Sequence, residues 1–257
     1  MRALVTGGGA RLGAAMAAAL AEWGHDVAVH HAASREGAEA VAAEARARGR
    51  RAAALGADLL DLDAVEGLVD RAAAALGGPL DLLVNNAALF ERDRVGTIGR
   101  DGWDRHMRVN LQAPVILTQR FAAQAPGPGE AGGEPVARAL VVNMVDQRVL
   151  KLTPHFASYT LSKAALWTWT RTAAQGLAPA IRVNAIGPGP TMRAARQSER
   201  HFAAQRRGTV LGRGADAGDV VAALRYLLDA RAVTGQLICV DGGQHLGWAT
   251  PDIVGTG

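Results

Sequence analysis

A phenol and an ammonium stand four residues apart at Tyr159 and Lys163, a spacing that puts both on one face of a helix. Free tyrosine, with a pKa near 10, exchanges protons poorly at neutral pH, and a neighbouring cation lowers that value. The two residues therefore form a candidate acid–base couple, and Lys163 is one of only two lysines in the chain, the other being Lys151. Thirteen residues before the tyrosine lies Asp146. Near the start, Thr6-Gly7-Gly8-Gly9-Ala10-Arg11-Leu12-Gly13 gathers glycines where backbone N–H groups and a helix N-terminus can hold a pyrophosphate.

Positioning these groups requires a regular frame, and the hydrophobic pattern supplies one. Apolar strands are expected over residues 2–6, 26–31, 52–55, 80–84, 140–144, 181–186 and 236–240. Helices are expected over 12–23, from Ser34 onward, and over 62–76, 102–124, 158–174 and 217–228. Strands that are nearly all apolar and alternate with helices imply a parallel sheet covered on both faces. Right-handed crossovers then give a doubly wound, Rossmann-type α/β three-layer sandwich in a single domain. In such a fold ligands sit at the carboxyl ends of the strands, where Gly7, Asp58, Asn85, Asp146 and Gly187 all fall. The segment 125–138, rich in proline and glycine, reads as a surface loop insertion. The Arg-rich stretch within about 190–212 reads as a substrate lid, and Gln147-Arg148 as part of the far pocket wall.

Composition closes off other classes. The 257 residues are 49% hydrophobic and 20% charged, a globular balance with no apolar run long enough to span a membrane and no leader-like opening. A cytoplasmic enzyme is the expectation. The single cysteine, Cys239, excludes an internal disulfide and a thiolate zinc knuckle. Net charge is +4, but the basic residues are scattered among acidic ones, which argues against a nucleic-acid partner. No metal site is expected, since adjacent His30 and His31 would point to opposite faces of a strand.

The second strand ends His30-His31-Ala32-Ala33-Ser34-Arg35, with no carboxylate to bind a ribose 2′-hydroxyl. NADPH is therefore expected over NADH, with Arg11, Ser34 and Arg35 around the 2′-phosphate.

With these residues in hand, the chain resembles the short-chain dehydrogenase/reductase family along nearly its whole length. Thr6, Gly7 and Gly13 are similar to that family's T-G-x(3)-G-x-G loop, with Arg11 in place of the middle glycine as in its pteridine reductase branch. The resemblance implies a cofactor site built from Thr6, Gly7, Arg11, Leu12, Gly13, His31, Ser34, Arg35, Asp58, Asn85, Ala87, Tyr159, Lys163, Pro188 and Gly189. Asp58 would meet the adenine, Asn85 to Ala87 would lie along the adenosine ribose, and Lys163 would bind the nicotinamide ribose. It implies a catalytic set of Asp146, Tyr159, Lys163 and Asn110, the last holding a relay water, and a substrate slot of Phe90, Asp146 and Tyr159. Phe90 would stack on a pterin ring. Most family members carry, where this chain has Asp146, a serine that hydrogen-bonds a substrate carbonyl, and pteridine reductases carry aspartate; a carboxylate there would repel a developing alkoxide but offset a protonated C=N, so the resemblance implies reduction of an imine over a ketone. The expected reaction is NADPH-dependent reduction of a C=N bond in a pterin or dihydrofolate-type substrate by a homo-oligomer, with a tetramer favoured. Two alternatives stand beside it: an NADPH-dependent reductase of a ketone or 3-oxoacyl thioester, and a non-catalytic NADP-binding sensor.

Overall fold

The computed structural model describes residues 1–193 and 197–248. Among the described residues there are nine strands: β1 (Arg2–Val5), β2 (Asp26–His31), β3 (Ala52–Gly56), β4 (Leu82–Asn85), β5 (Gly129–Ala131), β6 (Glu134–Val136), β7 (Ala139–Met144), β8 (Ile181–Pro188) and β9 (Leu237–Val240). Seven of them form one parallel sheet in the order β3-β2-β1-β4-β7-β8-β9, so the chain winds outward in both directions from the β1/β4 pair. That is the doubly wound architecture the alternation predicts.

The helices are α1 (Arg11–Glu22), α2 (Arg35–Ala47), α3 (Leu62–Glu66), α4 (Leu68–Leu76), α5 (Arg100–Met107), α6 (Ala113–Gln124), α7 (Ala157–Leu177), α8 (Glu199–Arg207) and α9 (Ala217–Asp229). Because side chains alternate across a strand, Ala3 and Val5 pack with α1, α2 and α9 on one face. Leu4 between them packs with α3, α4, α6 and α7 on the other. Both layers are thus dry, and the polar chemistry is left to the strand ends.

Five expectations are corrected. The segment 125–138 is not a plain loop: β5 and β6 pair antiparallel through Gly132 and Gly133, which take φ of 63° and 83°, values that favour glycine. The helix expected over 62–76 breaks into α3 and α4 at Gly67, and that over 102–124 passes through a π-helical turn at Arg108–Gln112. The segment expected as a lid, about 190–212, contains a helix, α8, capped by the Ser198 hydroxyl accepting the His201 N–H; its residues 194–196 lie outside the described residues. Ser34 stands at the start of α2 but makes no capping hydrogen bond.

Candidate active site

The glycine cluster turns from β1 into α1 as a tight cradle. Gly7 takes φ +62°, and a Cβ on Gly13 would collide with the Gly7 carbonyl oxygen, so that oxygen can approach the first turn of α1 only because residue 13 is glycine. Thr6, buried at the end of β1, accepts the N–H groups of Asn86 and Ala87 on its hydroxyl at 2.9 and 3.0 Å. The cradle is thereby tied to the end of β4. The start of α1 has no side-chain cap and no acidic residue in its first turn, which leaves its positive end available to an anion. Leu12 packs partly against the core beneath it.

Residues expected around an adenosine ribose divide into two groups. Ser34 and Arg35 are exposed beside the cradle, and Gly9 packs so closely on the Ser34 carbonyl that a Cβ there would not fit. Arg11, with φ +52°, does not turn toward them. Its guanidinium donates to the carbonyls of Met192 and Arg193 at 2.9 and 3.0 Å, bridging the cradle to the first part of the lid segment. His31 lies against Gly56. Asp58 is exposed and accepts the Leu60 N–H at 2.9 Å, while the cap of α3 falls to Asp61. Asn85 is 2% exposed and donates to Asn143 Oδ1 at 2.8 Å; it links β4 to β7 inside the sheet and is not brought to the cleft. Pro188 ends β8, and Gly189 sits against Asp241 where no Cβ fits.

The acid–base group assembles at the ends of β7 and α7. Tyr159 donates its O–H to Asp146 Oδ2 at 3.0 Å, and Asp146 Oδ1 accepts the Arg148 N–H at 2.8 Å. Burial raises the proton affinity of the Asp146 carboxyl. Burial and the adjoining carboxylate together raise the phenol well above its ordinary value, so the expectation that a cation lowers it is overturned. Lys163 is buried too: its Nζ donates to Met144 O at 2.7 Å, lies 5.9 Å from the centre of the Tyr159 ring, and is pushed down by burial to about 8. Desolvation and the Asp146 carboxylate both disfavour the phenolate and set the direction.

Phe90 is 49% exposed, which excludes core packing. It stacks on Phe156 with ring centres 4.3 Å apart and meets the Tyr159 ring edge-on at 4.7 Å. Asn110 sits in the π-helical turn, and its side chain bonds the backbone of Leu89 and the hydroxyl of Ser162; its amide holds the Phe90 segment. Two residues were missed. His30, buried, accepts the Gly7 N–H and braces the cradle, a placement the strand's period of two could have signalled. Phe156 has φ +56° at the mouth of α7, for which no sequence signal exists. Gln147 is buried beside Asp146, and the Arg148 guanidinium lies 5.4 Å over Phe156.

Comparison with known proteins gives the family. Residues 9–245 match the family model described as enoyl-(acyl carrier protein) reductase. The FolM alternative dihydrofolate reductase 1 of Brucella suis, solved in complex with NADP, is 46% identical with a TM-score of 0.90, covering 97% of each chain. A short-chain dehydrogenase of Burkholderia cenocepacia, also solved with NADP, is 36% identical with a TM-score of 0.85, over 95% of this chain and 97% of its own. The 3-oxoacyl-acyl-carrier-protein reductase of Staphylococcus aureus is 31% identical over 95% of this chain and 98% of its own. The chain belongs to the short-chain dehydrogenase/reductase family, and within it resembles the pteridine and dihydrofolate reductase branch.

Proposed function

We propose that this protein reduces a C=N bond of a pterin or dihydrofolate-type substrate with NADPH. The observation that carries the reading is the buried Tyr159–Asp146 hydrogen bond of 3.0 Å. Its carboxyl, raised by desolvation, holds a proton at a pH where an exposed aspartate has lost it. An imine must gain a proton on nitrogen to become a good acceptor; Asp146 donates it and is left as a carboxylate facing the iminium, a favourable pair in a dry site. Tyr159, whose O–H points at Oδ2, keeps its own proton and donates a hydrogen bond to that carboxylate, and solvent reprotonates Asp146 after turnover. A ketone acceptor forms no lasting cation for that carboxylate to face.

NADPH supplies the hydride when bound. The residues fit it: the uncapped first turn of α1 leaves its amides to a pyrophosphate, Ser34 and Arg35 stand open for the 2′-phosphate, and Arg11 joins them by leaving the Met192 and Arg193 carbonyls. Lys163 would hold the nicotinamide ribose through its remaining donors, Asp58 keeps one carboxylate oxygen for the adenine, and Phe90 offers a flat ring to a flat substrate. Asp146, Tyr159 and Lys163 act on the reacting groups in this reading, with Asn110 holding Phe90. The Brucella relative, named as a dihydrofolate reductase, supports the pteridine choice; the 3-oxoacyl relative favours the second reading, a carbonyl reductase. None of the described helices is long and apolar enough to cross a membrane, and the small-molecule reading needs no nucleic acid.

The test is NADPH oxidation with dihydrofolate, dihydrobiopterin and a diketone panel, repeated with Asp146→Ser. Turnover of the pteridines by the wild type is expected, with a shift toward carbonyls of about 100-fold in the variant. A wild type that turns over only ketones removes the proposal.

A further inference from the structure

The segment between β4 and α5 carries Phe90 without a helix or sheet strand of its own, so its backbone must be fixed from outside. Asn110 takes both polar groups of Leu89, accepting its N–H at 2.8 Å and donating to its carbonyl at 3.0 Å. One helical turn earlier, His106 accepts the Glu91 N–H on Nε2 at 3.1 Å. Residues 106 and 110 share a helix face, and amides two apart on one side are the pattern of an extended chain. Phe90 is the residue between the two tied positions.

The direction of each bond in this network is forced. A backbone N–H only donates, so Nε2 is unprotonated and the neutral ring carries its hydrogen on Nδ1. Nδ1 lies 2.8 Å from Ser158 Oγ, and Ser158 donates its own hydroxyl to the Asp93 carboxylate, which also accepts the Ser158 N–H at 3.2 Å. Protons thus run one way, from Glu91 to His106 to Ser158 to Asp93. Ser158 precedes Tyr159, so the network joins the Phe90 segment to the start of the catalytic helix. His106 is 1% exposed and its burial lowers its basicity, which keeps the ring in the neutral form the network requires.

We propose that His106 is a positioning residue for substrate binding, acting through Phe90: by holding Glu91 against α5 it sets the place of the aromatic ring beside Tyr159. The inference rests on the reading that Phe90 contacts the substrate ring.

His106→Leu removes both ring contacts, while His106→Gln restores one acceptor and one donor. Leaving the Glu91 N–H unpaired is expected to raise substrate KM about five- to tenfold with kcat held within about twofold, and the glutamine variant is expected to recover most of it. In a Phe90→Ala background the leucine change is expected to add little, since its effect passes through that ring. An unmoved KM, or a loss that adds fully to that of Phe90→Ala, overturns the inference. The assay uses whichever of the pteridines or diketones the wild type turns over, so a ketone-only enzyme removes the pteridine reading and still scores the coupling. Amide exchange of the 86–95 peptide without substrate gives a second measure: it is expected to quicken in the leucine variant and return in the glutamine one, and equal exchange in all three overturns the proposal.

Discussion

Asp146 is the residue in which chemistry and stability pull against each other. Its folded carboxyl holds a proton above the ordinary value of 3.8 because burial disfavours the charge. With a folded pKa above the unfolded one, stability is full below 3.8 and falls as pH rises through the raised value, above which the fold carries a buried ionised group. Asp146→Asn is therefore expected to raise Tm at pH 8, with the gain shrinking toward zero as pH falls to 4, while cutting turnover at least about 100-fold. A Tm gain equal at all pH values would show that the carboxyl is not desolvated. The tyrosine, lysine and aspartate were legible as a set because their types and spacings are local. The direction of the tyrosine shift was not, because it depends on how much water the finished fold excludes.

At the scale of elements, the strand expected over 26–31 is β2 as found, yet its most consequential side chain, His30, looked inert beside His31. Alternation sends His30 inward, where Nδ1 accepts the Gly7 N–H at 3.1 Å and Nε2 donates to Ala57 O at 3.1 Å. One ring thus joins the ends of β1, β2 and β3 beneath the phosphate cradle. Burial lowers it from 6.5 to about 4, so between those values the unfolded chain binds a proton the folded one does not. Stability is expected to drop by roughly 3 kcal/mol as pH falls from 7 to 4. Urea melts of the wild type should show that slope and His30→Gln should lose most of it; parallel slopes would assign the acid sensitivity elsewhere. Elements hidden from the sequence share a cause. β5 and β6 have three residues each, too short for any periodicity to register. The break at Gly67 falls where α3 and α4 pack on α6, and the π-helical turn falls where Asn110 bonds the Leu89 backbone, contacts between residues distant in sequence.

For the whole molecule, a parallel sheet covered on both faces follows from alternation and handedness, whereas the strand order β3-β2-β1-β4-β7-β8-β9 does not, since more than one doubly wound order satisfies both. A partner surface was not foreseeable either, since a groove needs residues distant in sequence. Leu111, Val115 and Ile116 from the α6 region and Trp169 of α7 line an apolar groove with Leu62. An apolar face of this kind fits a contact with a second copy of the chain, and we propose that it supports the homo-oligomer, a tetramer by resemblance. Wild type is expected to run in light scattering at a multiple of its 26.7 kDa. Val115→Glu, which would force a carboxylate into that contact, is expected to lower the mass at equal concentration with an unchanged far-UV spectrum. A wild type that stays at monomer mass from low to high micromolar concentration would leave the groove without a second copy, and the tetramer would then have to be abandoned.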